Sequence, residues 1–140
     1  MELLRKVFAK IVITHTIAAE LSMSVPEWIQ ITEPGNSLIQ KVLELELDSG
    51  EASAFALYFD FKNAIIAIDD LKARKIALRL HIAFTGSFGI ILAAKQSGII
   101  VSVLPLIDKI KKTKFRFSEE LIAELIKSAG EFIPKKTKKS

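Results

Sequence analysis

The chain has 140 residues and a mass of 15.5 kDa, enough for one domain that buries about 70% of its unfolded surface. Half the residues are hydrophobic, 26% are charged and none is cysteine, which excludes global disorder, a disulfide scaffold, thiolate metal sites and cysteine nucleophiles. The formal charge is +4, but Lys135, Lys136, Lys138 and Lys139 account for it, and basic and acidic residues otherwise balance at 16 each. Residues 134–140 are thus expected to be a flexible basic tail following a domain over 1–133, and the positive charge does not mark a face.

The opening MELLRKVFAK is amphipathic and charged from its second residue, unlike a secretory leader. Leu3, Leu4, Val7 and Phe8 share one face of a short helix end over 2–9. The β-branched run from Ile11 to Thr14 predicts a strand, and Thr14 caps a helix over 15–24. A second strand is expected over 28–32, where Trp28 reads as core packing, and Pro34-Gly35 punctuates the chain. An amphipathic helix over 36–47 ends at a break formed by Asp48-Ser49-Gly50. Residues 51–61 are apolar nearly all round and predict a buried helix. The run from Ala64 to Ile68 predicts a strand covered on both faces. A helix over 69–80 turns Leu71, Ile76, Ala77 and Leu80 inward, and a strand follows over 82–84. A helix over 87–96 stops at Gly98, and two amphipathic helices follow over 105–112 and 118–129, the last capped by Ser118.

The least charged stretch, Leu80 to Ile107, carries only Lys95 but is cut by three glycines and Pro105. That is short of the about 18 uninterrupted apolar residues of a membrane span. No membrane association is expected, and a soluble, cytoplasmic chain is. Short apolar strands alternating with helices predict an α/β fold, a doubly wound and mainly parallel sheet flanked by helices.

In such sheets ligands bind outside the carboxyl ends of the strands. Asp69 and Asp70 follow the strand over 64–68; Thr85, Gly86 and Ser87 follow the next one. Glu51 opens the helix that leads into the strand over 64–68 and runs antiparallel to it, so its first turn lies at the same edge, and Glu20 lies in the helix after the first strand. Carboxylates converging from separate elements repel one another unless a cation sits among them, and hard cations such as Mg²⁺ take oxygen ligands. Each residue also has a structural role open to it. Glu51 complements a helix dipole, one of Asp69 and Asp70 serves as an N-cap, and Glu20 sits on a polar helix face. Gly86-Ser87-Phe88-Gly89 is either a phosphate cradle or a tight strand-to-helix turn. His15 and His81 lack ligand spacing. Lys109, Lys111, Lys112, Lys114 and Arg116 form a solvated helix end or a contact to nucleic-acid backbone.

Several segments resemble one known family. Leu47-Asp48-Ser49-Gly50-Glu51-Ala52-Ser53-Ala54-Phe55-Ala56-Leu57 is similar to the LDxGEAxAIAL motif of a PIN-like family. Ala64-Ile65-Ile66-Ala67-Ile68-Asp69-Asp70 with Lys72 and Arg74 is similar to its LLIDDxxxRxxA. Phe84-Thr85-Gly86-Ser87-Phe88-Gly89 and Ala93-Ala94-Lys95 resemble its xTGTLGxLLxAK, and the likeness continues to Ala129-Gly130-Glu131. The resemblance implies a PIN-like fold and a Mg²⁺- or Mn²⁺-dependent endoribonuclease that cuts single-stranded RNA, similar to the toxins of toxin–antitoxin pairs. It nominates Glu20, Glu51 and Asp69 as catalytic metal ligands, with Thr85 or Ser87 assisting, and a cognate antitoxin or a second copy as protein partner. PIN domains begin with a central strand ending in an aspartate, whereas this chain opens on what resembles the helix after it. The expected domain therefore lacks that first central strand and its carboxylate. The alternatives are a catalytically inactive remnant that binds a partner protein or RNA, and an unrelated nucleotide-binding module built on Gly86 to Gly89.

Overall fold

The computed structural model describes residues 2–21, 23–112 and 118–131. The expected tail over 134–140 lies outside them, as do Lys114, Arg116 and Phe117. Residues up to Ser87 form one compact unit and those from Phe88 a second.

The first unit runs α1 (Glu2–Val7), β1 (Ile11–Ile13), α2 (His15–Glu20), β2 (Ile29–Ile31), α3 (Ser37–Leu43), α4 (Ser49–Tyr58), β3 (Ile66–Ala67), α5 (Leu71–Arg79) and β4 (Phe84–Thr85). β1 pairs in parallel with β2, Ile11 opposite Ile29 and Ile13 opposite Ile31. β3 pairs in parallel with β4, Ile66 opposite Phe84 and Ala67 opposite Thr85. The α/β class and the parallel sense are as expected. Among the described residues, however, the strands form two separate pairs rather than one continuous sheet. Strands of two or three residues leave few ladder bonds, and no described strand bridges the two pairs.

Local rules place most of the helix starts. Thr14, Asn36, Asp48 and Asp70 each accept a backbone N–H of the helix they precede, satisfying donors that would otherwise be orphaned. Thr14 is fully buried, and its Oγ1 also bonds Ser53 Oγ of α4 at 2.7 Å, which ties the end of β1 to α4. At the other end of α4 the Tyr58 hydroxyl accepts the Ala83 N–H at 3.1 Å. The expected break between two helices is present, but it comes earlier, after Leu43, because Asp48 caps α4 and Ser49 and Gly50 are its first residues.

Phe55 of α4, 0% exposed, centres the core, with Leu47, Ala52, Ile68, Ala73, Ala77 and Ile82 around it. Two sequence expectations change here. The strand over 64–68 is not covered on both faces. Ile68 is buried and Ile66 half-buried while Ile65 and Ala67 are exposed, the alternation of a strand with one covered face. On α5 the small residues Ala73 and Ala77 face the core and let the helix approach closely, with Ile76 beside them. Leu71 is 73% exposed, because it lies two residues and more than half a turn from Ala73. Leu80, the C-cap of α5, is 41% exposed.

The second unit contains α6 (Ser87–Gln96, its first residue belonging to the first unit), α7 (Leu104–Lys111) and α8 (Glu119–Ser128). Ile122, Leu125, Ile126 and Ala129, at helical spacing, pack with Ile91, Val103 and Ile107. Gly98 stops α6 at φ 77°, as its position in the sequence predicts. No described helix is long and apolar enough to cross a membrane.

Val103 precedes α7 without a side-chain cap. Its N–H is taken instead by Glu131 at 3.0 Å, and the same carboxylate accepts Ser102 Oγ at 2.5 Å and Lys95 Nζ at 2.8 Å. The Lys95 bond first, then those from Ser102 and the Val103 amide, pull the Glu131 pKa from 4.5 to about 2. The folded state therefore favours the ionised carboxylate. Its contribution is complete above pH 4.5 and disappears as pH falls towards 2. In acid titrations monitored by hydrogen exchange across α7, protection falls within that window, and Glu131→Gln removes the step.

Candidate functional site

The carboxyl end of β3 divides two adjacent aspartates between different tasks. Ile68 continues the ladder, its N–H bonding the Thr85 carbonyl at 2.7 Å. Asp70 caps α5, accepting the Ala73 N–H at 2.9 Å. Asp69 turns to the start of α6, accepting the Ser87 N–H at 2.9 Å and the Ser87 hydroxyl at 2.6 Å. Arg74 of α5 bonds the Ile68 carbonyl at 2.9 Å through Nε and holds Nη2 3.8 Å from Asp69 Oδ1.

The start of α4 supplies the opposite wall. Asp48 accepts the Glu51 N–H at 2.9 Å, which presents the Glu51 side chain in the first turn. Partial burial raises the Glu51 pKa above its ordinary value, and the charges of Asp48, Asp70 and Glu20 raise it further. Glu20, the last residue of α2, brings its carboxylate over Gly50. Glu20, Asp48, Glu51 and Asp69 all line one cavity of about 200 Å³, floored by Phe55, Ile66 and Ile68.

The three carboxylates nominated from sequence, Glu20, Glu51 and Asp69, thus share one cavity. Ser87 grips Asp69, while Thr85 contributes its carbonyl to the sheet and does not line the cavity. Asp48, which the sequence places in a helix break and in the LDxGEAxAIAL-like motif but not among the candidate ligands, is a fourth lining carboxylate. Its signal was the D-x-x-E spacing of a helix cap, Asp48 to Glu51. Arg74, which brings a positive charge to Asp69, stands at the arginine of the resembled LLIDDxxxRxxA pattern, five residues after Asp69.

The donors are all hard oxygens, and Glu20 and Glu51 take no hydrogen bond or ion pair through their carboxylates among the described residues. That chemistry fits a divalent cation such as Mg²⁺ or Mn²⁺. The spacing is that of carboxylates standing open around a cavity. Among the described residues no three acidic or histidine side chains are close enough to hold a metal ion together. A family model, DUF3368, described as a PIN domain, matches residues 1–131. No curated protein and no solved structure matches the chain.

Proposed function

The chain belongs to the PIN domain family DUF3368, PIN domains being generally nucleases, and on that premise we propose that it is a divalent-metal-dependent endoribonuclease acting on single-stranded RNA. The observation that carries this reading is the shared cavity of Glu20, Asp48, Glu51 and Asp69, with the Glu51 pKa raised first by burial and then by the charges of Asp48, Asp70 and Glu20. Like charges gathered in one place are costly, and a bound cation offsets that cost.

Glu20, Glu51 and Asp69 are the residues that would hold Mg²⁺ or Mn²⁺. Such a cation, when bound, lowers the pKa of a water and stabilises charge on a scissile phosphate. Ser87 orients Asp69 through two hydrogen bonds, and Asp48 orients the first turn of α4 that carries Glu51. Lys72, Lys75 and Arg79, exposed on α5, suit contact with a phosphate backbone. The toxin half of a toxin–antitoxin pair is the biological setting we favour. Leu38 and Val42 on α3 and Leu45 in the turn after it are exposed apolar residues that support a protein partner, antitoxin or second copy.

The direct test is incubation of the purified chain with single-stranded RNA. Cleavage is expected with Mg²⁺ or Mn²⁺ and is expected to stop on chelation. Cleavage that persists in chelator overturns the metal-dependent reading. The second reading, a non-catalytic remnant that binds RNA or protein, is favoured by the unconverged carboxylates. It predicts RNA retention without cleavage and no cation-dependent rise in melting temperature.

A further inference from the structure

Gly50 is buried in the first turn of α4, where its backbone is helical and its φ is not positive. Nothing in the backbone requires glycine there, and alanine is the better helix former. The reason lies in the space beside it. A Cβ added at Gly50 would stand 2.6 Å from Glu20 Oε1 and 3.1 Å from both Glu20 Cδ and Oε2, its three nearest neighbours. What fills the missing side chain's place is therefore the carboxylate of a different helix. Glu20 ends α2, where the helix dipole disfavours an anion, whereas the first turn of α4 favours one. Gly86 shows the same device within this unit, since a Cβ there would meet Arg74 Nη2 and stand 2.7 Å from Asp69 Oδ1.

We infer that Gly50 is a positioning residue that seats the Glu20 carboxylate over the start of α4, on the cavity side where Glu51 lies. The inference rests on the metal-binding reading above and deepens it. The obstructing atoms belong to the far end of a flexible and exposed side chain. A methyl group at position 50 therefore displaces the carboxylate and leaves the helix in place.

The test is calorimetric titration of Mn²⁺ into the full chain and three variants: Gly50→Ala, Glu20→Ala and the double variant. The melting temperature of each is measured without metal. Gly50→Ala is expected to weaken Mn²⁺ binding by about 10-fold or more, the range over which ligand-orienting groups act, at an unchanged or raised melting temperature. In the Glu20→Ala background the same glycine change is expected to cost nothing further, because its effect passes through Glu20. Wild-type affinity in Gly50→Ala, or an equal loss in both backgrounds, overturns the inference and leaves the metal site standing. A wild-type chain that binds no Mn²⁺ overturns both. Should Gly50→Ala fail to fold, the double variant decides. Recovery to the melting temperature of Glu20→Ala supports the seat, and continued unfolding overturns it.

Discussion

Glu51→Ala is expected to reduce Mg²⁺- or Mn²⁺-dependent cleavage of single-stranded RNA by more than about 100-fold, beyond the range seen when a ligand's orienting partner is removed. Glu51 is partly buried in the cavity and also feels the charges of Asp48, Asp70 and Glu20. The variant should fold at least as stably as the parent. A raised carboxyl pKa means that the fold disfavours the ionised group near neutral pH, so removing it relieves first the cost of its partial burial and then the repulsion from its neighbours. Activity and stability are thus expected to move in different directions, a separation that a misfolded variant cannot imitate. Glu46→Ala serves as the control, being exposed in the turn after α3 and no part of the cavity. Cleavage by Glu51→Ala within a few-fold of the parent overturns the assignment of this site.

The largest effect on stability is expected at Phe55. Its side chain is fully buried and central to the cluster that joins α4, β3 and α5. Replacing a buried phenylalanine by alanine typically costs 3–5 kcal/mol, the lost transfer energy plus a cavity that relaxes only in part. That is a large share of the 5–15 kcal/mol by which ordinary domains are stable. Phe55 also floors the carboxylate cavity. Phe55→Ala should therefore weaken cation binding as well, through movement of α4, the helix that carries Glu51. Denaturant unfolding monitored by circular dichroism measures the first effect. Leu78→Ala is the comparison, since Leu78 is 64% exposed and a surface change of this kind is worth at most about 0.5 kcal/mol. Equal losses from the two substitutions overturn this account of the core.

Much of the site could be seen along the chain because its parts are tied to element ends. Asp69 and Asp70 follow an apolar run, and Ser87 opens a helix after the next one. Chain direction alone places such residues at one edge of parallel strands. Which aspartate would cap was not legible. Asp70 lies three residues before Ala73 and takes the cap, leaving Asp69 to Ser87, a partner 18 residues away. The cap at Asp48 is hidden for a related reason, because Asp-Ser-Gly marks a turn as readily as a helix start. The cap bond to Glu51 decides for the helix.

The sequence by itself determined the α/β class, the order of the elements, the helix starts capped by Thr14 and Ser118 and the carboxylates worth testing. These follow from local propensities and from the periods of strand and helix, which act over a few residues. Tertiary structure decided what depends on packing between distant segments. It put Ala73 and Ala77 rather than Leu71 against the core, and exposed Ile65 and Ala67 on a strand that reads as wholly buried. It brought Asp69 to Ser87, 18 residues on, and it filled the space beside Gly50 with the carboxylate of Glu20. No pattern along the chain encodes that last contact, because the two residues stand 30 positions apart and meet only when α2 packs on α4.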